Sequence, residues 1–187
     1  MRFKARISDV NTLLRFVEAV EKTGKQAVFL MNPEKILIIQ NSDVTDGFQV
    51  WSGVKVGTLF SDFLIESQNN NEIAFEISLD LFQKALRTAI SAKEVLIKLT
   101  KKGTAFLSMI IDSHLPQSTK TVHDIPVRMM QNAESHQYVE PPLPNPNLVI
   151  ALPHSKQLRP VIERMKNLSN AQYLTITANN QGEMTFK

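Results

Sequence analysis

The apolar positions of the chain change spacing in the same order three times. Residues 2–8 (RFKARIS) alternate, with Phe3, Ala5 and Ile7 on one face, which predicts a strand. Over residues 9–23 the spacing becomes helical. Leu13, Leu14, Phe16, Val17 and Val20 make one stripe, Asp9 or Asn11 can cap its start, and Gly24 stands where a helix ends. Residues 26–31 (QAVFLM) and 35–40 (KILIIQ) read as a hairpin around Asn32-Pro33-Glu34, and residues 47–53 as a further strand.

The order then repeats. Residues 72–78 alternate. Residues 79–92 have helical spacing and bury Leu79, Phe82, Leu86 and Ala89. Residues 94–100 and 104–112 are strands joined at Lys101-Lys102-Gly103. The next strand, residues 122–130 (VHDIPVRMM), puts Val122, Asp124, Pro126, Arg128 and Met130 on one side and His123, Ile125, Val127 and Met129 on the other. Pro126 has no N–H to give a ladder, so this strand is expected at a sheet edge, to be covered or paired with another chain. In the third round, residues 147–152 read as a strand. Residues 158–168 read as a helix burying Leu158, Val161, Ile162, Met165 and Leu168, with Pro160 in its first turn, and residues 172–178 and 183–187 as a hairpin.

A β-α-β-turn-β unit thus occurs three times. The first two, residues 1–130, suffice for a two-layer α+β domain with helices on one face of an antiparallel sheet. Residues 131–146, carrying Pro141, Pro142, Pro144 and Pro146, read as an extended connector. Residues 147–187 open a second domain with one helix and about half the strands of the first, so that domain is expected to be incomplete.

Composition narrows the function. The 187 residues are 43% hydrophobic, carry a net charge of +3 and contain no cysteine. A disulfide, a thiol nucleophile and a cysteine metal site are therefore excluded, and the mild basicity is compatible with nucleic acid. No apolar run is long enough to span a membrane, and no signal peptide opens the chain. The histidines at 114, 123, 136 and 154 lack metal-ligand spacing, and no glycine-rich phosphate loop exists. Asp43 and Asp46 lack the rest of a calcium loop, and Trp51 reads as core. His123 and Asp124 face opposite sides of a strand and cannot act as an acid–base pair. Neither a cofactor nor a metal is expected, and the chain reads as a non-enzyme.

The outer helix faces carry the remaining chemistry. Arg15 and Lys22 share a face of the first helix. Lys84 and Arg87 share one on the second, with Lys93 just after it. Lys156, Arg159 and Lys166 line up on the third, with Arg164 nearby. Helices on one side of a sheet would gather these into a surface for the DNA backbone. A solvated, mixed-charge face is the competing reading, because Glu18, Glu21 and Glu163 dilute the basic stripe.

The start MRFKARI, the block NNEIAFEISLDLFQKALRTAISAKEVLIKLT, the strand VHDIPVRMM and the block LRPVIERMKNLSNAQYLTITANNQGEMTFK resemble the hydroxyurea-sensitive (Hus) subunit of the checkpoint sliding clamp, the heterotrimeric nine-one-one ring related to proliferating cell nuclear antigen. The resemblance implies a DNA-clamp fold of repeated β-α-β-β-β units. It also implies a nuclear, non-enzymatic role in DNA-damage checkpoint signalling and DNA repair. The inner-helix basic positions would fall on Arg15, Lys84, Arg87, Arg159 and Arg164. The implied partners are the two other checkpoint clamp subunits, a clamp-loader ATPase, double-stranded DNA or primer-template junctions, and repair enzymes and polymerases, with no membrane. The last strand of domain one, Val122 to Met130, would meet the adjacent subunit. Partner proteins would dock near the connector, around Tyr138, Pro141, Pro142 and Leu143. The family continues past Lys187, so ring closure by this chain alone is not expected. A replicative homotrimeric clamp is the alternative within the class. A small α+β enzyme using His123 or His154 as base is the alternative outside it.

Overall fold

A computed structural model describes residues 1–41, 49–113, 120–147, 149–168, 173–179 and 181–187. Asp43, Asp46, Gly47, His114, Leu148 and Gln172, to which the sequence reading assigned parts, lie outside the described residues. The chain forms two compact units, Met1–Glu140 and Pro141–Lys187. The first part of the expected connector therefore belongs to the first unit.

The first unit runs β1 (Arg2–Ile7), α1 (Val10–Glu21), β2 (Gln26–Met31), β3 (Lys35–Asn41), β4 (Gln49–Lys55), α2 (Val56–Leu59), β5 (Phe60–Glu66), β6 (Ile73–Ser78), α3 (Leu79–Thr88), β7 (Ala92–Lys102), β8 (Thr104–Ser113), β9 (Lys120–Met129) and α4 (Asn132–Ser135). Its strands form a nine-stranded sheet in the order β4-β3-β2-β6-β9-β8-β7-β1-β5, and every pairing is antiparallel. Two β-α-β-β repeats, β1-α1-β2-β3 and β6-α3-β7-β8, stand out as expected, and the class is α+β with helices on one sheet face.

Local sequence explains these elements. The Asp9 carboxylate accepts from the backbone N–H of Asn11 (2.9 Å) and Thr12 (3.1 Å), satisfying two donors that α1 would otherwise leave open. Leu13, Leu14, Val17 and Val20 then face the sheet. On α3 the buried stripe is Leu79, Phe82, Ala85 and Leu86. These side chains share one core with Phe3, Phe29, Phe75, Ile97, Leu107 and Met109. Phe29 stacks on Phe75 (centroids 5.5 Å apart) and takes the edge of Phe82 at 6.0 Å. A smaller cluster, Val28, Ile39, Ala74 and Met130, packs with Leu30, Leu37, Trp51 and Tyr138.

Several expectations are corrected. The strand expected over residues 122–130 is not at the edge of the sheet: β9 lies between β8 and β6. Its ladder with β8 runs from Asp112↔Lys120 to Phe106↔Pro126, and its ladder with β6 takes only Val127, Arg128 and Met129. Proline sits where the strand passes from one partner to the other, so the missing N–H costs nothing in the second ladder. The true edges are β4 and β5. Residues 54–66, unassigned in the sequence, hold α2 and the edge strand β5. There the pairing with β1 shifts register, and Asp62, on the strand opposite that shift, adopts φ 48°. Helix α3 stops at Thr88 rather than residue 92, because Ala92 is taken into the β7–β8 ladder. Lys101 and Lys102 end β7, and Gly103 alone makes the tight turn with φ 85°.

The second unit contains α5 (Ser155–Leu168) and the hairpin β10 (Ile176–Ala178)–β11 (Met184–Phe186). Of the strand expected over residues 147–152, the described residues, 147 and 149–152, join no ladder. Pro160 lies inside α5 and not in its first turn, removing one bond to the Lys156 carbonyl. The expected buried stripe is also corrected: Val161 and Ile162 are 44% and 40% exposed. One helix and one short hairpin offer too little apolar surface to cover it.

Candidate nucleic-acid interface

Helices α1 and α3 pack side by side on one face of the sheet. Their apolar stripes are turned inward, so Arg15, Lys22, Lys84 and Arg87 are all exposed on the opposite side, and Lys93 is exposed at the start of β7. The structure thus brings the first-unit cations predicted from spacing onto one layer. It also shows how they are compensated. Arg87 donates through Nη2 (2.9 Å) and Nε (3.3 Å) to one oxygen of Glu18, which also accepts from Gln83 Nε2 at 3.3 Å. Lys84 Nζ lies 2.7 Å from Asp80, and this ammonium holds the Asp80 carboxyl below its ordinary range. Lys25 pairs with Glu21. Arg15, Lys22 and Lys93 have no ion pair among the described residues.

In the second unit, Lys156, Arg159, Arg164 and Lys166 are exposed on α5. Arg159 Nε contacts Glu163 at 2.8 Å, one turn on. Among the described residues the other three carry no ion pair.

Strand β9 divides as its alternation demands. Ile125 is buried and His123, Val127 and Met129 are half-buried, whereas Val122, Asp124, Pro126 and Arg128 are exposed. Over residues 120–126 its recorded ladder is with β8 alone. This stretch borders a groove against α3 lined by Leu81, Lys84, Thr88, His123 and Pro126. His123 Nε2 sits 3.0 Å from Thr88 Oγ1, a contact to α3 that no pattern in the sequence signals. Asp124 accepts from Lys102 Nζ (2.7 Å) and from the buried Ser108 hydroxyl (2.5 Å), and both hold its carboxyl below the usual range. Arg128 is not a free cation, since it bridges Glu76 (2.8 Å) and Glu134 (3.3 Å) and so fastens α4 to β6. Met130 is buried and its N–H donates to the Ala74 carbonyl at 3.0 Å.

Of the residues expected around the connector, Tyr138 alone packs on the sheet, beside Met130. It helps line an open groove of about 450 Å³ with Leu30, Leu37, Ala74, Met130 and Val139. Pro141, Pro142 and Leu143 are exposed and belong to the second unit. The groove's sheet-side residues were missed because nothing in a strand's alternation tells which outward positions a later segment will cross. Among the described residues no group of three histidine, aspartate or glutamate side chains is placed to hold a metal ion.

A family model described as Hus1-like protein matches residues 1–187. The chain belongs to the Hus1-like family. Its Hus1-like relatives include the checkpoint protein hus1 homolog of Dictyostelium discoideum, 35% identical over 97% of this chain and 68% of that protein. Checkpoint protein hus1 of Schizosaccharomyces pombe is also 35% identical, over 98% of this chain and 64% of its own length. Checkpoint protein HUS1 of Homo sapiens is 32% identical, over 100% and 69%. The chain therefore spans about two thirds of the length of the curated relatives it matches. Among solved structures, PCNA from Thermococcus kodakaraensis shares the fold with a TM-score of 0.60 at 19% identity, over 99% of this chain and 71% of that one. The clamp fold and the family expected from the sequence are both found.

Proposed function

We propose that this Hus1-like chain is a non-enzymatic subunit of a heterotrimeric sliding clamp that encircles double-stranded DNA in checkpoint signalling and repair within the nucleus. The observation that carries the reading is the helix layer. Two amphipathic helices lie side by side over a nine-stranded antiparallel sheet and turn Arg15, Lys22, Lys84 and Arg87 away from the core. Such a face meets phosphates electrostatically without choosing a base. Topological linkage holds a ring on DNA, so these contacts need only be weak.

The other parts take roles in the same scheme. The residue 120–126 stretch of β9, with the α3 groove beside it, faces an adjacent clamp subunit. The groove under Tyr138 receives a peptide of a repair enzyme or polymerase. The exposed cations of α5, within the second unit, also meet DNA phosphate, and a clamp-loader ATPase opens the ring. The test is co-purification with the two other checkpoint clamp subunits, followed by retention on circular and linearised duplex. The assembly is expected to stay on circles and run off linear ends. A self-trimer would favour a replicative homotrimeric clamp, and equal loss from both templates would refute encirclement. Replacing Arg15 and Lys22 with Gln should reduce the slope of log affinity against log salt by about 1.8 if both meet phosphates; an unchanged slope removes the DNA-facing assignment.

A further inference from the structure

The layout of charge on the helix layer is not that of a simple cationic surface. Each α3 cation named above has an acid within reach: Arg87 has Glu18 from the neighbouring helix and Lys84 has Asp80 from its own. The Glu18 arrangement is the more built of the two. One carboxylate oxygen collects Nε and Nη2 of Arg87 and Nε2 of Gln83, so three donors from α3 converge on one acceptor from α1. Glu18 lies on α1 between Arg15 and the C-cap residue Lys22, and its side chain is 34% exposed, against 57% for Arg87. A phosphate approaching Arg87 therefore meets a pair whose charges cancel, with two of the guanidinium's donors, at Nε and Nη2, already directed at Glu18.

The geometry points to Glu18 as an internal counter-ion that occupies Arg87 in place of DNA phosphate, so that the α1–α3 face holds duplex loosely enough to slide. This rests on the DNA-facing reading of that face. The pair is partly exposed, and ion pairs of that kind contribute little to folding. Its larger effect is on the count of cations that can neutralise phosphate, because each engaged cation adds about 0.9 to the salt slope on B-form DNA. With Glu18 present, Arg87 adds nothing to that count; with Glu18 neutralised, it adds one.

The experiment uses the chain assembled with its clamp partners and a labelled blunt duplex, with binding followed by fluorescence anisotropy from 50 to 200 mM salt. Glu18→Gln keeps an acceptor for Arg87 and Gln83 but removes the charge. It should steepen the log–log slope by about 0.9, an additional loss of affinity of about 3.5-fold across that fourfold salt range. Arg87→Gln should flatten the slope by the same amount in the Glu18→Gln background and leave it near the wild-type value alone. Equal effects of Arg87→Gln in both backgrounds overturn the competition, as does an unchanged slope for Glu18→Gln while Arg15→Gln and Lys22→Gln still flatten it. If those two also change nothing, the DNA-facing reading falls along with it. Thermal melting of each variant separates a lost fold from a lost charge, and the Arg87→Gln comparison stands if Glu18→Gln alone fails to fold.

Discussion

Gly24 and Gln40 form a clasp whose two halves should fail in a coupled way. Gln40 is a polar residue only 4% exposed. Its Nε2 donates to the carbonyls of Gly24 (2.6 Å) and Gln26 (3.3 Å), and its Oε1 accepts from the Thr23 hydroxyl. One side chain on β3 thus satisfies the groups just past the end of α1, where a helix has none of its own to offer. Gln40→Ala removes these bonds at about 1 kcal/mol each and leaves partners short of donors, so a loss of about 2–4 kcal/mol is expected. A Cβ built on Gly24 would lie 2.9 Å from Nε2 and 3.3 Å from Cδ of Gln40. Gly24 is not among the residues with left-handed φ, so alanine suffers no backbone strain there. In the wild type, Gly24→Ala must dislodge Gln40 and should cost about 1–3 kcal/mol. In the Gln40→Ala background the obstacle is gone, and the same change should stabilise by about 0.4–1 kcal/mol through the less flexible unfolded chain. The sign reverses. Urea unfolding followed by the fluorescence of Trp51, the single tryptophan and a β4 neighbour of Ile39 on β3, reads the first unit directly. If Gly24→Ala has the same effect in both backgrounds within about 0.5 kcal/mol, the clasp does not bear on stability as argued.

Phe82→Ala should cost about 3–5 kcal/mol, since the ring is 1% exposed and meets Phe29 edge-on; a loss below about 1.5 kcal/mol in the same urea assay would mean the core collapses around the gap. Asp124 titrates below the usual range in the folded chain because of Lys102 and Ser108. It therefore contributes stability that is present above the unfolded value of about 3.9 and lost as pH falls through the folded one. Asp124→Asn should be the less stable protein at pH 7 and converge with wild type in strong acid, so parallel stability curves from pH 7 to pH 2 would refute the linkage. The double neutralisation of Arg15 and Lys22 and the Glu18–Arg87 cycle complete the set, and both are read as salt slopes.

What the sequence discloses depends on whether a residue's burial is decided nearby. The alternation of β1 and the stripe of α1 were legible because each element has one wet face and one dry one, and β2 and β3, packed on both faces, were legible as short apolar runs about a turn. The same holds for Asp9, whose cap is a local matter. Residues 54–66 were opaque because α2 is a single turn and the bulge at Asp62 breaks the period of β5. Pro126 misled for a different reason. It marks a place without a ladder donor, which an edge provides but which a strand changing partners provides as well. The cations of the candidate interface were legible as helix-face residues. Their pairing was not, since Glu18 and Arg87 are 69 positions apart and meet only once the two helices lie side by side. The stripe of α5 was legible as a pattern, yet a pattern does not guarantee that something covers it.

The passage of β9 from one partner to another makes the first unit a joint as well as a slab. The strands β8, β7, β1 and β5 join β9 through its residues up to Pro126, the strands β6, β2, β3 and β4 join it through Val127, Arg128 and Met129, and the backbone between Pro126 and Val127 is where the two halves of the sheet meet. A bending load on the sheet is thus concentrated on the shorter ladder, with the Arg128–Glu76 bridge and the α1–α3 contact on either side as its braces. The unit is thus built as two leaves sharing a spine, each leaf with its own pairing.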